Sequence, residues 1–304
     1  MSFTFKKNHI ATALAIVTML PLSVAAKTTK GDLYKDLEST SVISRQIKVG
    51  ESVFESTFFS RKAKGGFEAL RNGDYVEVWH GHEQTPYSMI NITGMAQEPS
   101  SDLRRILLFG LQQNTFTREE SLKHARLLQM IKRPYNSVAP VRLQAVLGYD
   151  LGVAGGYLSA CTNGLSSAVL SSGGLFESES CEPKGLKVVY SLNVQEQVFP
   201  NDVNTTFTVE SPYSLAGRLD GLRTIEKLKT LMGCGLEPIV KDGYGATVDR
   251  FSCKNSNELV VLRTPYPHHQ WNGYLLVDQN TYNQFGAPYK VPLSNWIYSE
   301  LDIR

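Results

Sequence analysis

Apolar and polar positions divide this chain into short elements. From Ser44 the pattern is strand-like: Gln46-Ile47-Lys48-Val49, a Gly50-Glu51 turn, then Val53 to Phe59 predict a hairpin. Asn72-Gly73 opens a strand through Tyr75-Val76-Glu77-Val78-Trp79-His80, with Tyr87 to Ile92 as its expected partner. Asp102 to Leu111 is an apolar run too short to declare a helical or an extended period. Two helices are better marked. Thr117 and Glu120 form a capping box, in which each side chain satisfies a backbone N–H at the helix start. Leu122, Ala125, Leu128 and Ile131 follow at helical spacing until Pro134, which gives a helix over about 117–133. The second, over about 212–233, starts near Ser211-Pro212 and closes at Cys234-Gly235. It carries Leu215, Leu219, Leu222, Ile225, Leu228 and Met232 on one stripe.

Strands are expected after each helix. Val141 to Leu147 and Leu186 to Phe199 follow the first. Ile239-Val240, a turn at Asp242-Gly243, Ala246 to Phe251 and Leu259 to Leu262 follow the second. Helices set apart among hairpins predict an α+β fold with a mostly antiparallel sheet. The expected organisation is a leader over 1–26, a polar tether over 27–43, an N-terminal α+β region over 44–134 and a C-terminal α+β region over 135–304.

The leader changes how the rest is read. Lys6 and Lys7 precede an apolar run from Ile10 to Leu22, which ends in Ser23-Val24-Ala25-Ala26, the pattern of a secretory signal peptide. The run is shorter than the roughly 20 residues a membrane-spanning helix needs, and no later stretch qualifies. The expected address is periplasmic or extracellular. An even number of cysteines in an exported chain predicts disulfides, and local loops favour Cys161–Cys181 and Cys234–Cys253. The similar spacing of the two pairs also raises an internal duplication.

The chain has 31 basic and 29 acidic residues. Lys6 and Lys7 account for the surplus, so residues 27–304 are neutral. That balance speaks against nucleic acid or an anionic membrane as partner.

Candidate chemistry is sparse. His80 and His82 would share one face of an extended strand, and two imidazoles so placed suit a divalent metal, with Glu83, His268 or His269 completing the ligands. No Gly-x-Ser-x-Gly nucleophile motif is present, and Ser166, Ser167, Ser171 and Ser172 have no neighbouring histidine. Gly148, Gly152, Gly155 and Gly156 follow a strand without phosphate-loop spacing and are read as turn glycines. Leu151 to Phe176 contains no charged residue, a composition that fits a tightly packed core segment or a membrane-active hairpin. Tyr266, Trp271, Tyr274, Tyr282, Trp296 and Tyr298 lie among amides and prolines, a mixture suited to protein or polysaccharide recognition. These features predict an exported, non-catalytic binding protein that uses its aromatic C-terminal region and needs no cofactor. The alternatives are a metal-dependent hydrolase on His80 and His82, and a membrane-active or envelope assembly factor built on residues 151–176.

Overall fold

The structure, a computed structural model, describes residues 40–49, 52–61, 75–81, 107–111, 117–136, 144–193, 217–238, 240–243 and 247–264. In chain order its elements are β1 (Thr40–Val49), β2 (Ser52–Arg61), β3 (Tyr75–Trp79), β4 (Leu107–Leu111), α1 (Arg118–Asn136), β5 (Gln144–Tyr149), α2 (Gly152–Asn163), β6 (Ser167–Ser171), β7 (Lys187–Asn193), α3 (Gly221–Met232), β8 (Val240–Gly243), β9 (Thr247–Ser252) and β10 (Glu258–Thr264).

All ten strands join one sheet in the order β1-β2-β4-β3-β5-β6-β7-β10-β9-β8. The run from β4 through β3, β5, β6 and β7 to β10 is parallel. Antiparallel pairs close both edges. The expected mostly antiparallel α+β fold is therefore incorrect: this is a mixed α/β sheet with a parallel centre of six strands. The reason is visible in β6 and β7. Ala168, Val169 and Leu170, like Val188, Val189 and Tyr190, are all fully buried, and strands covered on both faces lose the alternation that marks a one-sided sheet.

The first hairpin pairs as expected, with Val49 opposite Ser52, while the Gly50-Glu51 turn lies outside the described residues. Its first strand begins at Thr40, inside the stretch read as a tether. The expected partner of β3, Tyr87 to Ile92, lies outside the described residues, and β3 pairs in parallel with β4 and β5 instead. That pairing carries one sheet across the region around Pro134.

The helices also differ from expectation at their ends. The Thr117 box is present: Glu120 N–H donates to Thr117 Oγ1 at 3.2 Å, and Thr117 N–H to Glu120 Oε2 at 3.2 Å. However, α1 continues past Pro134 to Asn136. The helix α3 starts nine residues later than predicted, because Asp220 caps it by accepting from Arg223 N–H at 2.8 Å. Leu219 precedes that cap in a bridge segment and is buried outside the helix. The helix α2 was not expected at all, since its glycines mask its period.

The three helices cover one face of the sheet. Leu128 of α1, Tyr157 of α2 and Leu228 of α3 share a core with Val146, Leu170, Val188 and Val261. Residues of opposite parity, among them Leu147, Val169, Val189 and Val260, are equally buried on the other face. The uncharged segment 151–176 is thus the buried helix α2 and the central strand β6, which removes the membrane-active hairpin. Cys161 bonds Cys181 and Cys234 bonds Cys253, with Cα–Cα distances of 6.2 and 3.8 Å. The first ties α2 to the loop before β7 and the second ties the end of α3 to β9, so the two bridges occupy dissimilar settings. Two disulfides point to an oxidising compartment. Among the described residues, no helix is long and apolar enough to cross a membrane.

Candidate active site at the carboxyl edge of the sheet

Topology locates the site before any side chain does. From β3 the chain moves to one side of the sheet, and from β5 it moves to the other through β6, β7 and β10. The carboxyl ends of β3 and β5 therefore flank the switch point, where open parallel sheets form their ligand crevice. The strand β3 ends in His80-Gly81, and β5 ends in Asp150.

Asp150 occupies an unusual corner. The sequence Gly148-Tyr149-Asp150-Leu151-Gly152 turns from strand to helix with Asp150 at φ 55°, left-handed backbone for a residue that is not glycine. Such a conformation costs about 1–3 kcal/mol and persists only where surrounding structure imposes it. The impositions are plain. Asp150 N–H donates to Ser171 O at 3.1 Å, and Val153 N–H returns to Asp150 O at 3.1 Å to start α2. A methyl group at Gly148 would lie 2.8 Å from Gly152 O, and one at Gly152 would overlap Trp79 O and His80 O. Both glycines are thus required by close backbone approach at a sharp strand-to-helix turn.

Three further observations define the surroundings. Asp150 is 2% exposed, and a methyl group at Gly81 would overlap its Oδ2, so the backbone after β3 stands directly against the carboxylate. The helix α2 begins two residues on, at Gly152, and directs its positive end toward the corner. Arg218, 4% exposed, donates from Nη2 to Leu151 O at 3.1 Å. Burial pulls the Arg218 guanidinium down to about 9, while the charges of Asp150 and Glu179 hold it up, so it remains a cation at neutral pH.

Beneath the corner, β3 and α2 are joined by a buried polar chain. Glu77, fully buried, accepts from Ser159 Oγ at 2.5 Å and from Trp79 Nε1 at 3.3 Å. Asn163 Nδ2 donates to Ser159 Oγ at 3.1 Å and to Ala125 O at 3.0 Å, extending the chain to α1. The Trp79 ring packs where Gly155 has no side chain. These contacts fix the end of β3 relative to the start of α2, the two walls around Asp150.

The solved structures most relevant to this geometry include the acetyl xylan esterase from Aspergillus awamori. It is 10% identical over 87% of this chain and 100% of its own, with a TM-score of 0.51. The fold resembles that of the α/β hydrolases. A thermostable esterase (11% identical, 87% of this chain and 60% of its own, TM-score 0.46) is more distant in shape. So is MGS-M1, an α/β hydrolase from a Medee basin deep-sea metagenome library (11%, 86% and 95%, TM-score 0.44). No protein-family model matches the sequence, and no curated protein does. At these identities the likeness bears on the fold alone, and the chemistry rests on the corner itself.

This fold, with a strained acid at its switch point, overturns the expected non-catalytic binding protein. The Gly-x-Ser-x-Gly nucleophile motif has serine at the centre of its glycine pair. This chain carries aspartate there, and by composition alone Gly148 and Gly152 look like ordinary turn residues. The signal was present: two glycines flanking one polar residue, between an apolar strand and a helix start.

Of the expected site residues, the structure describes His80 and the four cysteines. His80 is buried beside Gly81, and its Nδ1 lies 3.0 Å from Gly81 O. His82, Glu83, His268 and His269 lie outside the described residues, as do Tyr266, Trp271, Tyr274, Tyr282, Trp296 and Tyr298. Among the described residues, no group of three or more His, Cys, Asp or Glu could hold a metal ion.

Proposed function

We propose that this protein is an exported hydrolase that uses Asp150 as a covalent nucleophile on substrates with an electrophilic saturated carbon, such as an epoxide or an alkyl halide. The observation that carries the reading is Asp150 at φ 55° on a glycine-flanked strand-to-helix corner, with the Gly81 backbone against its carboxylate. Corners of this kind present a nucleophile at the top of an α/β sheet, with backbone N–H groups on either side for developing negative charge.

The identity of the residue selects the substrate. A carboxylate that attacked an ester carbonyl would form an intermediate able to expel either group. The carboxylate is the better leaving group, because its acid has a pKa near 4, far below that of an alcohol. Attack on a carboxylic ester thus returns to starting material. At saturated carbon the outcome differs. An Asp150 oxygen forms the new C–O bond, the bond to the leaving group breaks with its electron pair, and a stable alkyl ester remains. Water then attacks Cγ, a base takes its proton, and the alcohol is released with Asp150 restored. Side chains and water suffice for both steps.

The base is assigned by chain order. In this fold the acid and histidine of the catalytic set follow the nucleophile in that sequence. Beyond β7 the chain carries Glu196 and Asp202, and beyond β10 it carries His268 and His269. We assign the base to one of these two histidines. The leader over 1–26 sends the enzyme to the periplasm or the exterior, in keeping with its disulfides.

Turnover of styrene oxide and 1-bromobutane by the purified protein tests this reading. The native protein is expected to hydrolyse at least one of them, and Asp150→Ala to lose that activity. Hydrolysis of p-nitrophenyl acetate alone, undiminished in Asp150→Ala, would sink it.

A further inference from the structure

Three buried charged groups, Asp150, Glu179 and Arg218, lie around the corner, and the partly exposed Arg118 joins them through Glu179. Their contacts sort them into pairs. Glu179 Oε1 accepts from the backbone N–H groups of Ser180 and Cys181, both at 2.9 Å, and from Arg118 Nη2 at 3.3 Å. Its charge is thus matched from α1 and from its own loop. The charges of Asp150 and Glu179 both act on Arg218, and the Arg218 guanidinium is bonded to Leu151, the residue next to Asp150.

Arg218 is also built into place. Gly217, at φ 61°, turns the chain into a short bridge with the loop after β6. Glu177 N–H donates to Gly217 O and Leu219 N–H to Leu175 O, both at 2.9 Å. The guanidinium then crosses the Phe176 ring, its Cζ 3.7 Å from the centroid, to reach Leu151 O. A charge removed from water costs several kcal/mol unless matched. Here Asp150 and Glu179 supply the opposing charge, and the hydrogen bond lands on Leu151, the residue after the corner.

We propose that Arg218 is a positioning residue for Asp150: it holds the corner through the Leu151 carbonyl and supplies the buried positive charge against which Asp150 passes its own charge to the leaving group. This rests on the nucleophile reading. During alkyl transfer, the Asp150 oxygen bonds to the substrate carbon and the electron pair of the breaking bond departs with the leaving group. Asp150 becomes a neutral ester, the guanidinium keeps its proton, and the new anion forms in the field of Arg218: bromide departs, whereas the alkoxide of an opened epoxide stays on the substrate and takes a proton from water. The same cation then faces the oxyanion that forms at Cγ when water attacks.

The test measures the rate of ester formation on the Asp150 peptide by quenched-flow mass analysis of the full chain, with styrene oxide and 1-bromobutane as probes. Arg218→Met is expected to slow ester formation about 10²–10³-fold, and Arg218→Lys to stay within about tenfold of native. A structural role alone would penalise both variants alike, since lysine cannot reproduce the planar fork over Phe176. Equal losses in Met and Lys variants, or a native rate in Arg218→Met, overturn the assignment. If Arg218→Met does not fold, Arg218→Lys decides: labelling within tenfold of native supports the charge role, and labelling as slow as Asp150→Asn rejects it. Absence of an ester on native Asp150 with both probes rejects the nucleophile reading instead, so the two failures are distinct.

Discussion

Two aspartates stand at two helix starts in this molecule, and they are used in opposite ways. Asp220 has ordinary extended backbone at φ −66°, and its carboxylate accepts from Arg223 N–H to cap α3. Asp150, one residue before the N-cap of α2, has left-handed backbone, and no side chain caps that helix. A cap residue satisfies the local backbone and lowers the energy of its own helix. Asp150 instead adopts a costly conformation and faces Gly81 and Arg218. The contrast underlies the proposal that Asp150 is the nucleophile.

The largest expected effect separates the two residues by activity. Asp150→Asn should lower alkyl turnover by more than about 10³-fold, since an amide oxygen is a far weaker nucleophile than a carboxylate. Asp220→Ala should leave turnover within about twofold of native. Equal losses in the two variants would dissolve the distinction.

The next effect is on the corner itself. Gly152→Val places a branched side chain into Trp79 O and His80 O, backbone atoms that cannot yield as a flexible side chain would. A loss of roughly 3 kcal/mol or more is expected from such overpacking, read as a fall in Tm of about 10 °C. A native Tm in Gly152→Val would show that β3 and α2 do not meet as closely as described.

Removing the Asp220 cap should cost about 1 kcal/mol, or about 2–4 °C in Tm, measured on the same variant that keeps its turnover. The smallest effect concerns His124 on α1, whose pKa burial pushes below the ordinary value while Glu120 opposes the shift. The folded state then resists a proton that the unfolded chain accepts, so stability should fall as pH drops through about 6.5. His124→Leu is expected to flatten the Tm profile between pH 7 and 5. An unchanged slope would assign the pH dependence elsewhere.

Two local features of the fold were legible in the sequence. The hairpin of β1 and β2 and the capping box of α1 are local devices with local signatures. The parallel centre was not legible, because its strands are short, apolar and buried on both sides. Glu77 added to the difficulty: a charged residue between Val76 and Val78 makes β3 look half exposed, yet its carboxylate is fully buried against Ser159 and Trp79. The helix α2 was hidden by Gly152, Gly155 and Gly156, which lower helical propensity in isolation. In the fold they admit Gly148 and the Trp79 ring at close range. As for the site, His80 stands out in the sequence by its spacing to His82, and the structure places its strand end beside Asp150. Asp150 itself was passed over because a lone aspartate between glycines has the composition of a turn, and only φ and topology distinguish it from one.

The most direct test follows the oxygen atoms. In a single turnover in ¹⁸O-water with enzyme in excess over styrene oxide or 1-bromobutane, water attacks Cγ of the Asp150 ester rather than the substrate. The account therefore predicts ¹⁸O in the Asp150 peptide and an alcohol that carries the original carboxylate oxygen. Heavy oxygen in the alcohol, with none in Asp150, would contradict it.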